Sequence, residues 1–169
     1  MKKAFLLLLF VTSQWVSAAP EQVESPTTDP TMNWQLTTQE GREVSMSDFH
    51  GKPLIIHFWG TWCPYCKILQ PGLETLRKQY ESQGLQMVAI SINESANSDP
   101  SKVLKARGIN ILNLIEGDEL ALETFQIHGT PSTFFVSPEG QVLGSTMSSD
   151  PNDPRFQQVA EYLVALPRP

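Results

Sequence analysis

The sequence predicts an α/β domain: a central mixed β-sheet flanked by helices, with an N-terminal β-hairpin extension. Three observations carry that expectation. Pro53-Leu54-Ile55-Ile56-His57-Phe58-Trp59 is a dense aliphatic and aromatic run, the form of a strand buried on both faces. A helical pattern follows at once and leads into a second such run, Leu85 to Ile92, so that a β-α-β unit with a parallel pair is complete. Two later runs, Thr133 to Val136 and Val142 to Ser145, flank Ser137-Pro138-Glu139-Gly140, and a hairpin there makes the sheet mixed. The 169 residues suit one domain, and an apolar content of 40% supplies its core.

Taken in order, the chain opens with what reads as an export signal over residues 1–18. Lys2 and Lys3 precede the apolar stretch Ala4 to Val11, and Val16-Ser17-Ala18 has the small residues of a cleavage site. That stretch is well short of the roughly 20 residues needed to span a bilayer, so cleavage and a periplasmic destination are expected; an uncleaved membrane anchor is the alternative. Removing Lys2 and Lys3 from 12 basic side chains leaves 10 against 18 acidic ones, a net charge near −8. Such a balance argues against a nucleic-acid or anionic-membrane partner, both of which favour basic patches. Residues 19–31, rich in Pro, Thr, Glu and Ser, read as a flexible leader, and the folded domain is expected over 32–169.

Asn33 to Leu36 and Glu43 to Ser45 form two short strands around a Gln39-Glu40-Gly41-Arg42 turn, and Ser47 to Lys52 is a turn or helical loop. After the central strand, Leu69, Leu73, Leu76 and Tyr80 fall on one helical face, Gly84 stops the helix, and Pro71 inside it predicts a kink. Asn93 to Pro100 is polar loop. Asp99 or Ser101 caps a helix that runs to about Arg107 and ends at Gly108. Ile111 to Ile115 adds a short strand, and Glu119 to Phe125 a short helix. Asp153 to Leu166 closes the domain as a helix with Phe156, Val159, Ala160, Leu163 and Val164 inward.

The chemistry concentrates in Trp62-Cys63-Pro64-Tyr65-Cys66, which contains the only two cysteines. Closing so short a loop removes little unfolded-state entropy, so the pair is a poor structural staple and a good catalytic one. At a helix N-terminus, unpaired N–H groups and the dipole favour negative charge and lower a thiol pKa from about 8.5 toward neutrality. Cys63 is then the exposed nucleophile, and Cys66, one turn on, attacks the sulfur of Cys63 to release the product. Pro64 suits the first helical position, where its missing donor is not needed. A structural zinc site would need about four ligands, and His50, His57 and His128 lack the spacing to complete one. Covalent haem attachment would need histidine where Lys67 stands. Neither a metal nor another cofactor is expected.

The run Phe58-Trp59-Gly60-Thr61-Trp62-Cys63-Pro64-Tyr65-Cys66-Lys67 resembles the active-site segment of thioredoxin-like proteins, and most closely the TlpA/ResA/DsbE group of exported bacterial thiol–disulfide oxidoreductases. Pro71 matches that group's helix-kinking proline, and Gly129-Thr130-Pro131-Ser132-Thr133-Phe134-Phe135 its cis-proline segment; the likeness runs from about Trp34 to Leu166. It implies a thioredoxin-like fold and a cis Thr130–Pro131 bond beside Cys63, with Thr130 offering its backbone to an extended substrate strand. Trp62 either shields the pair and offers an apolar docking surface or simply packs. The resemblance also implies exported protein substrates with disulfides, apo-cytochromes in cytochrome c biogenesis among them, and a membrane redox partner such as a DsbD-type electron donor.

Two positions depart from the group. Leu69 stands where its members usually carry a glutamate that handles protons near the buried thiol. His57 stands where thioredoxins often have a buried acid; a neutral imidazole there is a possible proton acceptor for Cys66, and a packed core histidine is the plainer reading. Pro64-Tyr65 matches the dipeptide of glutaredoxins, whose potentials lie near about −200 to −230 mV against about −270 mV for thioredoxin. A reductase of exported protein disulfides is the favoured expectation. A glutathione-linked enzyme and a non-catalytic binding module are the alternatives.

Overall fold

A computed structural model describes residues 33–169; the expected export signal over 1–18, the leader over 19–31 and the expected start of the domain at residue 32 lie outside the described residues. Strands β1 (Gln35–Thr37) and β2 (Glu43–Ser45) pair antiparallel around the predicted turn, where Gly41 takes φ 81° and Thr38 N–H donates to Arg42 O at 2.9 Å. A 3₁₀ turn, Met46–Phe49, follows. The main sheet holds β3 (Leu54–Trp59), β4 (Gln86–Ser91), β5 (Leu112–Leu114), β6 (Ser132–Val136) and β7 (Val142–Thr146) in the order β5-β4-β3-β6-β7. β3, β4 and β5 run parallel, while β6 and β7 are antiparallel additions, so the sheet is mixed as predicted.

The parallel strands are joined by α1 (Pro64–Tyr80) and α2 (Pro100–Ala106), and α3 (Pro154–Ala165) closes the chain. Capping explains where each helix starts. The Asp99 carboxylate accepts from Lys102 N–H at 2.9 Å and that of Asp153 from Arg155 N–H at 3.0 Å, each just before a proline whose missing donor costs nothing there. Pro71 lies inside a helix that runs unbroken from Pro64 to Tyr80. The expected short helix at Glu119 to Phe125 is a wider π turn, Leu120–Thr124, in which Phe125 N–H reaches back to Leu120 O at 3.1 Å.

All six residues of β3 are buried, and their alternation divides the core in two. Ile55 and Trp59 join Leu69, Leu73, Phe135, Phe156 and Leu163 under the three helices. Leu54, Ile56 and Phe58 join Trp34, Val44, Phe49, Leu120 and Phe125 beneath the hairpin and the π turn. Each such side chain removed from water contributes about 1.5–3 kcal/mol, so β3 is the most firmly held element and a rigid base for what its C-terminal end carries.

Candidate active site

The predicted Cys63 and Cys66 sit where β3 hands over to α1, and the two are joined by a disulfide with Cα atoms 5.3 Å apart. Cys63 is the N-cap of α1: Pro64 takes the first helical position, and Cys63 Sγ accepts Cys66 N–H at 3.1 Å. That sulfur therefore occupies the place where a helix offers unpaired donors to an anion. The expectation that Cys63 is exposed is corrected here. In the disulfide form it is 2% exposed and Cys66 fully buried, both packed into the cluster that holds Trp59 and Leu69. The N-cap position turns Cys63 Sγ inward over the first helical turn, where it meets the core instead of solvent.

The approach to the pair is apolar. Trp62 is 55% exposed with its indole Nε1–H donating to Ile92 O at 3.3 Å, which anchors the edge of the ring and leaves a face open. Pro64 is exposed, as are Tyr65 and Ile68 along the start of α1. Gly60 makes room for this arrangement, because a Cβ there would run into the Trp62 indole. The turn is closed by Cys63 N–H donating to Gly60 O at 3.1 Å.

The Thr130–Pro131 bond is cis, as the resemblance implied. It lies directly before β6, whose Ser132 pairs with Phe58 near the end of β3, so it shares the cysteines' end of the sheet. Pro131 is buried, Thr130 half-buried, and Thr130 Oγ1 has no hydrogen-bond partner among the described residues. Antiparallel β7 also ends there, and exposed Met147 lies against Gly129.

His57 is wholly buried on the helix-facing side of β3, between Ile55 and Trp59, with Nδ1 at 3.1 Å from Thr133 Oγ1. Its Nε2 has no partner among the described residues, so it is only half satisfied as a core histidine. Burial lowers its pKa to about 3, and the ring is neutral near pH 7. Leu69, fully buried, adds hydrocarbon where the resembling group has a carboxyl.

Several contributors gave no signal in the sequence. Glu94, from the loop after β4, accepts from both Thr61 N–H and Thr61 Oγ1–H at 2.6 Å, across 33 positions of chain. Trp59 is fixed from below: its Nε1–H donates to Asn113 Oδ1 at 2.9 Å, and the Arg107 guanidinium stands 5.9 Å from its ring while donating to Gln70 Oε1 at 2.8 Å. Such partners come from separate strands and loops, and no local pattern announces them. Among the described residues no group of three or more His, Cys, Asp or Glu could hold a metal ion, and no helix is long and apolar enough to cross a membrane.

Comparison with known proteins places this geometry. The model of the AhpC/TSA family matches residues 27–144. The thiol-disulfide oxidoreductase ResA of Bacillus subtilis is 31% identical over 128 residues, which cover 76% of this chain and 70% of that protein. Among solved structures, a secreted Mycobacterium tuberculosis disulfide oxidoreductase, described as homologous to E. coli DsbE, superimposes with TM-score 0.66 at 18% identity, covering 82% of this chain and all of the other. A thioredoxin-family thiol:disulfide interchange protein from Chlorobium tepidum gives TM-score 0.68 at 24% identity, over 79% of this chain and 94% of its own. With a disulfide at the start of α1 on a thioredoxin-like sheet, the chain belongs to the AhpC/TSA family of thioredoxin-like proteins and is a thiol–disulfide oxidoreductase of the ResA type.

Proposed function

We propose that the chain is an exported, periplasmic reductase of protein disulfides, with Cys63 as the attacking sulfur and Cys66 as the resolving one. The observation that carries this reading is Cys63 Sγ at the N-cap of a 17-residue helix, bonded to Cys66 and accepting its amide N–H. In the reduced protein the same donors favour a thiolate at Cys63. That thiolate attacks one sulfur of a substrate disulfide and expels the other as a thiolate, which takes a proton. Cys66 then loses its proton and attacks Cys63 Sγ, the substrate's second sulfur leaves and is protonated, and the Cys63–Cys66 bond is restored. Two electrons pass to the substrate. A membrane thiol donor of the DsbD class returns them, and no bound cofactor is needed.

The supporting residues fit these steps. The exposed faces of Trp62, Tyr65, Ile68 and Met147 form an apolar rim for an unfolded segment around the target cysteine. Thr130 and Pro131, at the same end of the sheet, flank the docked strand. His57, on the helix-facing side of β3, has Nε2 without a partner among the described residues, but burial that lowers its pKa to about 3 makes it too weak a base to hold the Cys66 proton, which passes to the departing substrate thiolate. Substrates are expected to be exported proteins, apo-cytochromes included. The test is reduction of insulin by dithiothreitol: wild type accelerates it and Cys63→Ser does not. A Cys63→Ser protein as active as wild type would overturn the assignment, and activity strictly dependent on glutathione would move it to a glutaredoxin-type enzyme.

A further inference from the structure

We infer that Glu94 is a positioning residue of the redox centre: its carboxylate latches the turn that presents Cys63 and, through its charge, keeps the Cys63–Cys66 couple reducing. This rests on the proposed exchange at Cys63 and deepens it. The turn Gly60–Cys63 has a single backbone bond of its own, Cys63 N–H to Gly60 O. Glu94 supplies the rest. One oxygen accepts Thr61 N–H at 2.6 Å and the other accepts Thr61 Oγ1–H at 2.6 Å, while Ser98 Oγ donates to the second at 2.8 Å. Charge-assisted bonds of this kind are about twice as strong as neutral ones.

The loop that carries Glu94 is itself held in place. Ile92 N–H donates to Trp59 O at 2.9 Å, Ile92 O accepts the Trp62 indole N–H, and Asn93, at φ 52°, donates its N–H to Asp118 Oδ1 at 2.7 Å. The β4–α2 loop thus grips the cysteine turn at Trp59, Thr61 and Trp62, and Glu94 is the one charged group in that grip.

All three donors to Glu94 are neutral, so its charge is shared but not cancelled. Glu116 and Asp118 line the same small hollow and add to its sign; Lys67, in the first turn of α1, is the basic neighbour in sequence and is exposed to solvent. Thr61 stands two residues before Cys63, a chain distance of about 7 Å at most. The Glu94 carboxylate lies one hydrogen bond beyond Thr61, and at a separation of about 10 Å with an effective dielectric of about 20 a half-buried carboxylate opposes formation of a thiolate at Cys63 by about tenfold in equilibrium. Reduction of the Cys63–Cys66 bond takes up two electrons and leaves that thiolate, so opposing it lowers the potential; tenfold corresponds to about 30 mV for a two-electron couple.

The experiment compares wild type with Glu94→Gln, Glu94→Asp and Glu94→Ala, reading the potential against glutathione and the pH profile of Cys63 alkylation. Glu94→Gln keeps an oxygen for Thr61 N–H and an amide for the hydroxyl but loses the charge. The expected result is a couple about 30 mV more oxidising, with alkylation below the Cys63 pKa about tenfold faster. Glu94→Asp restores values near wild type, and Glu94→Ala shows the shift of Glu94→Gln with slower insulin reduction. Circular dichroism checks folding of each. An unmoved potential and profile in a folded Glu94→Gln protein would overturn the inference, as would a shift toward more reducing values, or equal shifts in the Asp and Gln variants. Those outcomes leave the exchange reading intact if Cys63→Ser is inactive; an active Cys63→Ser protein fails that reading whatever Glu94 does.

Discussion

His57→Leu should remove most of one acid-sensitive step from the protein's stability. His57 is wholly buried, and burial holds its pKa at about 3 against 6.5 for an open chain. Between those values the unfolded chain carries a proton on this ring that the folded one does not. The proton difference is therefore close to one, and unfolding free energy falls by about 1.4 kcal/mol for each pH unit lost. The contribution is complete above pH 6.5 and drains away as pH drops toward 3. Between pH 7 and pH 4 the sum is about 3 kcal/mol, and it stays near that value even if the folded pKa is a unit higher. Urea unfolding of the oxidised protein at pH 7, 6, 5 and 4 measures it. Carboxylates such as Glu74 titrate in both proteins and cancel in the difference. Wild-type stability relative to His57→Leu should decline by about 3 kcal/mol across that range. Parallel curves would refute the reasoning, because they would mean that the folded ring takes up its proton as readily as the unfolded one.

Two further perturbations probe the frame and the turn. Burial pushes the Glu74 carboxyl up, but Arg77, the Asn110 amide N–H and Lys78 outweigh it and hold the pKa down to about 2. Glu74→Gln should cost about 2 kcal/mol at pH 7 and lose that difference as pH falls from about 4.5 to 2, read from unfolding midpoints; an equal cost at pH 3 would contradict it. Gly60→Ala puts a methyl group into the Trp62 indole, so insulin reduction should fall about tenfold or more by loss of the docking face, while the melting temperature moves by only a few degrees; unchanged activity would show that Trp62 only packs.

The elements that set the fold were legible because each buries a pattern. β3 and β4 bury nearly every residue and read as continuous apolar runs, while α1 and α3 bury one face each and read as 3.6-residue periods. The caps at Asp99 and Asp153 were equally local. In the N-terminal hairpin, β1 begins two residues later than the pattern placed it: Asn33 is exposed, and buried Trp34 lies outside the strand ladder, its carbonyl accepting Met46 N–H at 3.0 Å. The segment after β5 is helical, as its pattern predicts, but wound as a π turn over Leu120–Thr124, with Leu120, Ala121 and Phe125 buried in the core. At the site, the cysteines and the proline segment carried their own motif. The inward set of Cys63, the half-satisfied state of His57 and the grip of Glu94 on Thr61 depend on chain segments tens of residues away.

The most direct test of the account is the pH titration of Cys63 in the reduced protein, followed by the rate of alkylation with iodoacetamide and by mass mapping of the labelled sulfur. Cys63 should react as a thiolate with a midpoint below about 7.5, with Cys66 unlabelled in the native state. A midpoint at or above about 8.5, or labelling of Cys66 ahead of Cys63, would contradict it.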